Sequence, residues 1–189
     1  MSTVAMPPMY RWDSIPWKNL HRSVWKLQKR IYRASLDGDR KKVRKLQRLL
    51  MSSRAAKLLA VRKVTQDNSG KRTAGVDGVK SLSKPQRVRM ADNLSITGSA
   101  KPLRRVWIDK ADSDEKRPLG IPVMEDRARQ TLVKQALEPE WEARFEPNSF
   151  GFRPGRSCHD AVQAIFTVIA QKAKYVLDAD IAKCLDASS

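Results

Sequence analysis

Apolar residues recur at helical spacing from the start of the chain. Trp17, Leu20, Val24, Leu27 and Ile31 alternate in steps of three and four, one stripe of a helix. Asp13 or Ser14 is placed to cap its start, and Pro16 fits a first turn. Asp37, Gly38 and Asp39 break the pattern. A second helix then turns Val43, Leu46 and Leu50, and later Leu58 and Leu59, inward. Two antiparallel helices are the local structure this predicts. Thr65 to Gly78 (TQDNSGKRTAGVDG) clusters turn residues, and its glycines Gly70, Gly75 and Gly78 suit positive φ or a close backbone approach.

Beyond that loop the period changes. Arg104 to Asp109 (RRVWID) reads as a strand, and Arg117 to Pro122 (RPLGIP) as its hairpin partner across an acidic turn. From Asp126 a helix carries Leu132, Val133, Ala136 and Leu137, with Pro139 expected to interrupt it before Trp141 and Phe145. Asn148 to Ser157 is a loop. Ser157 and Asp160 form an S-x-x-D cap for a helix bearing Val162, Ile165, Phe166 and Ile169. Tyr175 to Ile181 reads as a final strand. The fold class is α+β, in three regions: a basic helical extension over 1–64, a mixed region over 65–174, and the start of a further sheet over 175–189.

Charge changes the picture. The 189 residues hold 38 Lys and Arg against 20 Asp and Glu, a net +18. From Lys18 to Lys63 there are 16 Lys and Arg against only Asp37 and Asp39, a net +14. Lys41, Arg44, Lys45 and Arg48 lie on the outward face of the second helix. So concentrated a charge implies a polyanionic partner, nucleic acid before an anionic membrane surface. Cys158 and Cys184 are scattered and have no His at metal-ligand spacing, which argues against zinc and against a disulfide scaffold. The N-terminus lacks the pattern of a secretory signal and no stretch reaches the roughly 20 apolar residues of a membrane span, so a cytoplasmic protein is expected. His21 and His159 have no partners at catalytic spacing and read as structural.

The order of the motifs is more specific than any one of them. TAGVDG (73–78), RRVWIDK (104–110), KRPLGIP (116–122), SFGFRPGRS (149–157) and YVLDADIAKCLD (175–186) together resemble the first sequence blocks of group II intron-encoded reverse transcriptases and maturases. The resemblance covers roughly Arg62 to Asp186, and the preceding helices fit that family's N-terminal extension. It implies fingers followed by the first strand of a polymerase palm, with RNA-templated DNA synthesis as the parent reaction. Asp180 then matches the first catalytic aspartate. With the carbonyl of Ile181 it would hold Mg²⁺, a cation that takes hard oxygen ligands. Asp178 reads as a solvated strand-edge carboxylate. Lys110 and Arg117 match the basic residues that grip the triphosphate of an incoming deoxynucleotide, with Lys116 replacing Arg117 in another turn register. Arg153 and Arg156 suit template-backbone contacts, with Phe150 and Phe152 either packing or stacking. The partners implied are intron RNA, an RNA/DNA primer–template and deoxynucleotide triphosphates, in a monomer or a homodimer.

The sequence departs from the family in four places. Leu185 stands at the sugar-pocket position where an aromatic is common. The hairpin turn is acidic (ADSDE, 111–115) rather than glycine-bearing, and Asp109 precedes Lys110 where proline is usual. No Asp-Asp pair exists in the 189 residues, so the Tyr-x-Asp-Asp hairpin that completes the two-metal site is missing. The expectation is an N-terminal fragment, from a truncated or frameshifted reading frame or from an expressed piece of a longer one, that does not polymerise alone. The alternative is a stand-alone RNA-binding protein that assists splicing. The final strand, short of partners, is expected to be marginally stable.

Overall fold

The structure is a computed structural model that describes residues 11–109, 114–170, 173–177 and 179. It is α+β: among the described residues, helices and one two-stranded antiparallel sheet. The chain divides into two compact units, Met1–Arg144 and Phe145–Ser189.

In the first unit α1 (Trp17–Leu36) and α2 (Arg40–Ser52) form the expected helical pair. Gly38 takes φ +70 in the turn, and Asp39 caps α2 by accepting from the Lys42 N–H at 2.9 Å. The start of α1 differs from expectation. Its N-cap is Pro16 with no side-chain cap, while Asp13 is drawn into an ion pair with Lys84 at 2.8 Å. The second helix also ends sooner. Ser53 adopts an extended backbone, and α3 (Arg54–Arg62) begins directly after it, burying Leu58 and Leu59. A single π turn over Lys63–Asp67 follows. α4 (Lys84–Asn93) has no counterpart in the periodicity analysis, because Val88 and Ala91 are its only buried residues. Its start carries an S-x-x-Q signal, and the Ser83 N–H donates to Gln86 Oε1 at 2.8 Å.

β1 (Arg104–Asp109) and β2 (Lys116–Ile121) pair antiparallel as expected, from Arg104 opposite Ile121 to Asp109 opposite Lys116. α5 (Met124–Glu142) then runs straight through Pro139. Proline lacks the N–H that would serve the Gln135 carbonyl one turn back. Gln28 of α1 supplies the missing donor, its Nε2 lying 3.0 Å from that oxygen. Gln47 Nε2 donates to the Ala136 carbonyl at 3.3 Å, and Ser35 Oγ to the Glu140 carbonyl at 3.1 Å. The helix survives its proline because α1 and α2 satisfy the carbonyls around it.

The core joins Ile31 and Ala34 of α1, Val43 and Leu50 of α2, Ala60 and Val61 of α3, Ala91 of α4, and Ala128 and Leu132 of α5. Trp12 is buried beneath the start of α1. Its indole N–H donates to Gln66 Oε1 at 2.9 Å, and its ring meets Trp17 edge-on at 4.9 Å.

In the second unit, α6 (Cys158–Ile169) starts at the capping box read from the sequence. Ser157 N–H donates to Asp160 Oδ2 at 2.7 Å, and Asp160 N–H returns to Ser157 Oγ at 3.3 Å. None of its residues is buried. The expected strand from Tyr175 is absent over Tyr175–Leu177, which is unpaired and almost fully exposed. A strand needs a ladder partner for its N–H and C=O groups, and the described residues offer none.

Candidate nucleic-acid interface

The buried stripes of α1 and α2 force their charges outward. Lys41, Arg44, Lys45 and Arg48 are exposed on α2, and Lys18, Arg22, Lys26, Lys29, Arg30 and Arg33 on α1. Among the described residues, no ion pair engages any of the twelve Lys and Arg between Lys18 and Arg48. The contrast lies elsewhere in the same unit. Arg54 pairs with Asp92 at 2.8 Å, and Arg129 bridges Glu125 and the buried Asp126. Asp126 Oδ2 also accepts the Lys101 N–H at 2.9 Å, which fixes the approach to the hairpin.

Two arginines hold the TAGVDG loop. Arg127 donates from Nε to the Pro122 carbonyl at 2.9 Å and from its two terminal nitrogens to the carbonyls of Gly70 and Thr73. Arg104 Nε reaches the Ala74 carbonyl at 2.9 Å. Partial burial lowers the pKa of Arg127, opposed by the carboxylate of Asp77. The close approach foreseen at these glycines is real at Gly75, and its partner is internal. A Cβ there would lie 2.7 Å from Val123 Cα. Gly78 takes φ +69.

On the hairpin, Arg117 is exposed opposite Ile108, and Lys116 is tied to Asp109 at 3.3 Å. Lys110 lies outside the described residues, as do Asp178, Asp180, Ile181 and Leu185. Among the described residues, no group of three or more His, Cys, Asp or Glu is placed to hold a metal ion.

Arg153, expected on a template-facing loop, is engaged within that loop. It is only 8% exposed and donates to the carbonyls of Glu146 and Ser149, both at 2.7 Å, with its guanidinium over Phe145. The loop between α5 and α6 has few internal backbone hydrogen bonds, and this guanidinium closes it. Arg156 is half-buried, donating to the Pro147 carbonyl at 2.8 Å and lying over Phe150. Phe152 is fully exposed with φ +56.

Two aromatic residues were not singled out by sequence pattern. Trp25 and Tyr32 are exposed on α1, among the lysines and arginines. Their signal was present, since both fall off the Trp17–Leu20–Val24–Leu27–Ile31 stripe.

Residues 12–94 match the family described as the N-terminal domain of reverse transcriptase, and residues 108–187 match the reverse transcriptase (RNA-dependent DNA polymerase) family. The chain belongs to the group II intron reverse transcriptase/maturase family. It is 34% identical over 160 residues to Maturase-like protein 1 of Euglena gracilis, covering 79% of this chain and 33% of that protein. Protein YkfC of Escherichia coli is 34% identical over 155 residues, 75% of this chain and 40% of its own length. Group II intron-encoded protein LtrA of Lactococcus lactis subsp. cremoris is 36% identical over 122 residues, 63% of this chain and 20% of its own. The chain thus spans between a fifth and two fifths of these relatives, and what matches is the N-terminal part of a reverse transcriptase. The family works with divalent metal ions. Among the described residues, no helix is long and apolar enough to cross a membrane.

Proposed function

We propose that this chain is the RNA-binding N-terminal part of an RNA-directed DNA polymerase and maturase, with the outer faces of α1 and α2 as its RNA footprint. The observation that carries the reading is the run of twelve cations from Lys18 to Arg48, none of them in an ion pair among the described residues. Packed so densely they repel one another, and phosphates neutralise them while releasing counterions. The β1–β2 hairpin is the fingers element in this reading. Arg117, with Lys110, faces the triphosphate of an incoming deoxynucleotide. Asp180 and the Ile181 carbonyl supply ligands for Mg²⁺ where the palm begins, and Leu185 lies beside the sugar. Arg156 contributes to the template path; Arg153 maintains the loop that presents it. With one matched catalytic aspartate and no Asp-Asp pair, the chain by itself does not polymerise.

A primer-extension assay with Mg²⁺, an RNA template and the purified chain tests the second half of this proposal. Extension above background overturns it. Binding to a structured RNA, compared with a control protein of equal charge, tests the first half, and equal affinities overturn it. A second reading, a stand-alone RNA-binding protein that assists splicing, is favoured by the first unit's core, which joins residues of α1 to α5. Stimulation of intron splicing by this chain alone distinguishes the two.

A further inference from the structure

One stripe of α1 is neither core nor simply charged. Lys18, Arg22, Trp25, Lys29, Tyr32 and Leu36 follow one another in steps of four and three, so they lie along one side of the helix. The opposite side carries the buried Val24, Ile31 and Ala34. Trp25 is 57% exposed and Tyr32 38% exposed. The Lys29 ammonium sits 4.3 Å from the Trp25 ring centroid, an arrangement that holds the indole at a fixed pitch on the helix. By contrast Trp12 and Trp17 are spent on the core. The twenty residues of α1 include no Asp or Glu. The surface therefore offers flat π faces framed by positive charge.

We infer that the Lys18–Leu36 stripe of α1 binds unpaired RNA, with Trp25 and Tyr32 each stacking a base that has been turned out of a loop or bulge. This inference rests on the RNA-binding reading above and narrows it from a charged footprint to a base-contacting one. The spacing supports the narrowing. Seven residues of α-helix separate the two rings by about 10 Å, roughly three times the 3.4 Å step between neighbouring bases of one strand in a duplex. Continuously stacked bases do not match two rings so far apart. Bases splayed out of single-stranded RNA do, and every base has a π face to offer. Phosphates between them fall to Lys18, Arg22, Lys29 and the adjacent Arg33. An anionic membrane fits less well, because a membrane-surface helix must offer its whole apolar face, and here Val24 and Ile31 are buried in the protein.

The test compares two RNAs in fluorescence anisotropy at one salt concentration: a stem with an unpaired loop, and a fully paired duplex of matched length. Trp25→Ala with Tyr32→Ala is expected to weaken loop binding by about tenfold or more, leaving duplex affinity and its salt dependence unchanged. Trp25→Phe with Tyr32→Phe keeps a π face at each position and is expected to restore most of the loop affinity. Equal losses on both RNAs, or no loss on either, overturn the inference. So does a variant pair that leaves RNA binding intact but abolishes binding to phosphatidylserine vesicles. If the unaltered chain binds neither RNA, the RNA-binding reading itself falls, an outcome distinct from failure of the stacking inference.

Discussion

α1 and α6 are both amphipathic helices, yet they end in opposite states. α1 buries Val24, Ile31 and Ala34 against α2, α3 and α5. α6 carries the more continuous apolar pattern, and Val162, Ile165, Phe166, Val168 and Ile169 all remain exposed. The comparison separates two things that an apolar stripe combines. Where α6 begins is decided locally, by Ser157 and Asp160. Whether the stripe contributes to stability depends on facing atoms, which α1 has and α6, among the described residues, lacks.

The comparison can be broken most sharply by truncation. Leu132→Ala, in the core shared with α1, is expected to cost about 2–5 kcal/mol in urea unfolding, because a cavity adds to the lost transfer energy. Phe166→Ala in α6 is expected to change stability by less than about 0.5 kcal/mol. A similar cost at both positions would show that α6 packs after all. Next comes overpacking. Gly75→Ala drives a methyl to within 2.7 Å of Val123 Cα, at an expected cost of about 1–3 kcal/mol. Gly151→Ala in the second unit meets nothing within 4 Å and is expected to leave the urea midpoint unchanged.

Smaller in stability, but decisive for function, is the contrast between open and committed cations. Replacing Lys41, Arg44, Lys45 and Arg48 by Gln is expected to leave the melting temperature nearly unchanged. The same change makes log affinity for RNA less steep in log salt by about three. Arg153→Gln is expected to leave that slope alone and to raise the protease sensitivity of the 146–157 loop. A loss of slope at Arg153 would restore it to the template path.

The smallest effect concerns acid. Two hydrogen bonds from Ser157 hold the Asp160 carboxyl below its ordinary value of 3.8. A depressed native pKa means that its contribution to the helix start is present above 3.8 and is lost as pH falls further, toward the native value. Helicity by circular dichroism is therefore expected to show a small acid-side decline below pH 3.8 that Asp160→Ala removes.

Much of this was legible in the residues. The α1–α2 pair, the β1–β2 hairpin and the α6 cap follow from period and turn chemistry, which act over a few residues. The order of the sequence motifs pointed to the family that the comparisons confirm. Three features lay beyond such reasoning. Pro139 was expected to interrupt a helix, and the donor that rescues it sits on α1. The sequence marks Gly75 as a place for close approach, but the backbone it approaches is that of Val123. The sequence places Arg153 on a loop, and only the folded path shows the guanidinium turned in upon carbonyls. In each case the deciding partner is a group brought close by the folded path, whose position no local pattern gives.

Gln28 and Pro139 have a consequence for how this fold can change over generations. Gln28 serves a carbonyl 107 residues away that is open only because a proline stands one turn beyond it. With alanine at 139 the helix would close its own bond, and the glutamine would become dispensable. The cost of losing Gln28 is thus set by its distant neighbour, and a cycle of Gln28→Ala and Pro139→Ala is expected to be non-additive by about 0.5 kcal/mol or more. Position 139 can lose its proline first, and position 28 is free to drift only after it has.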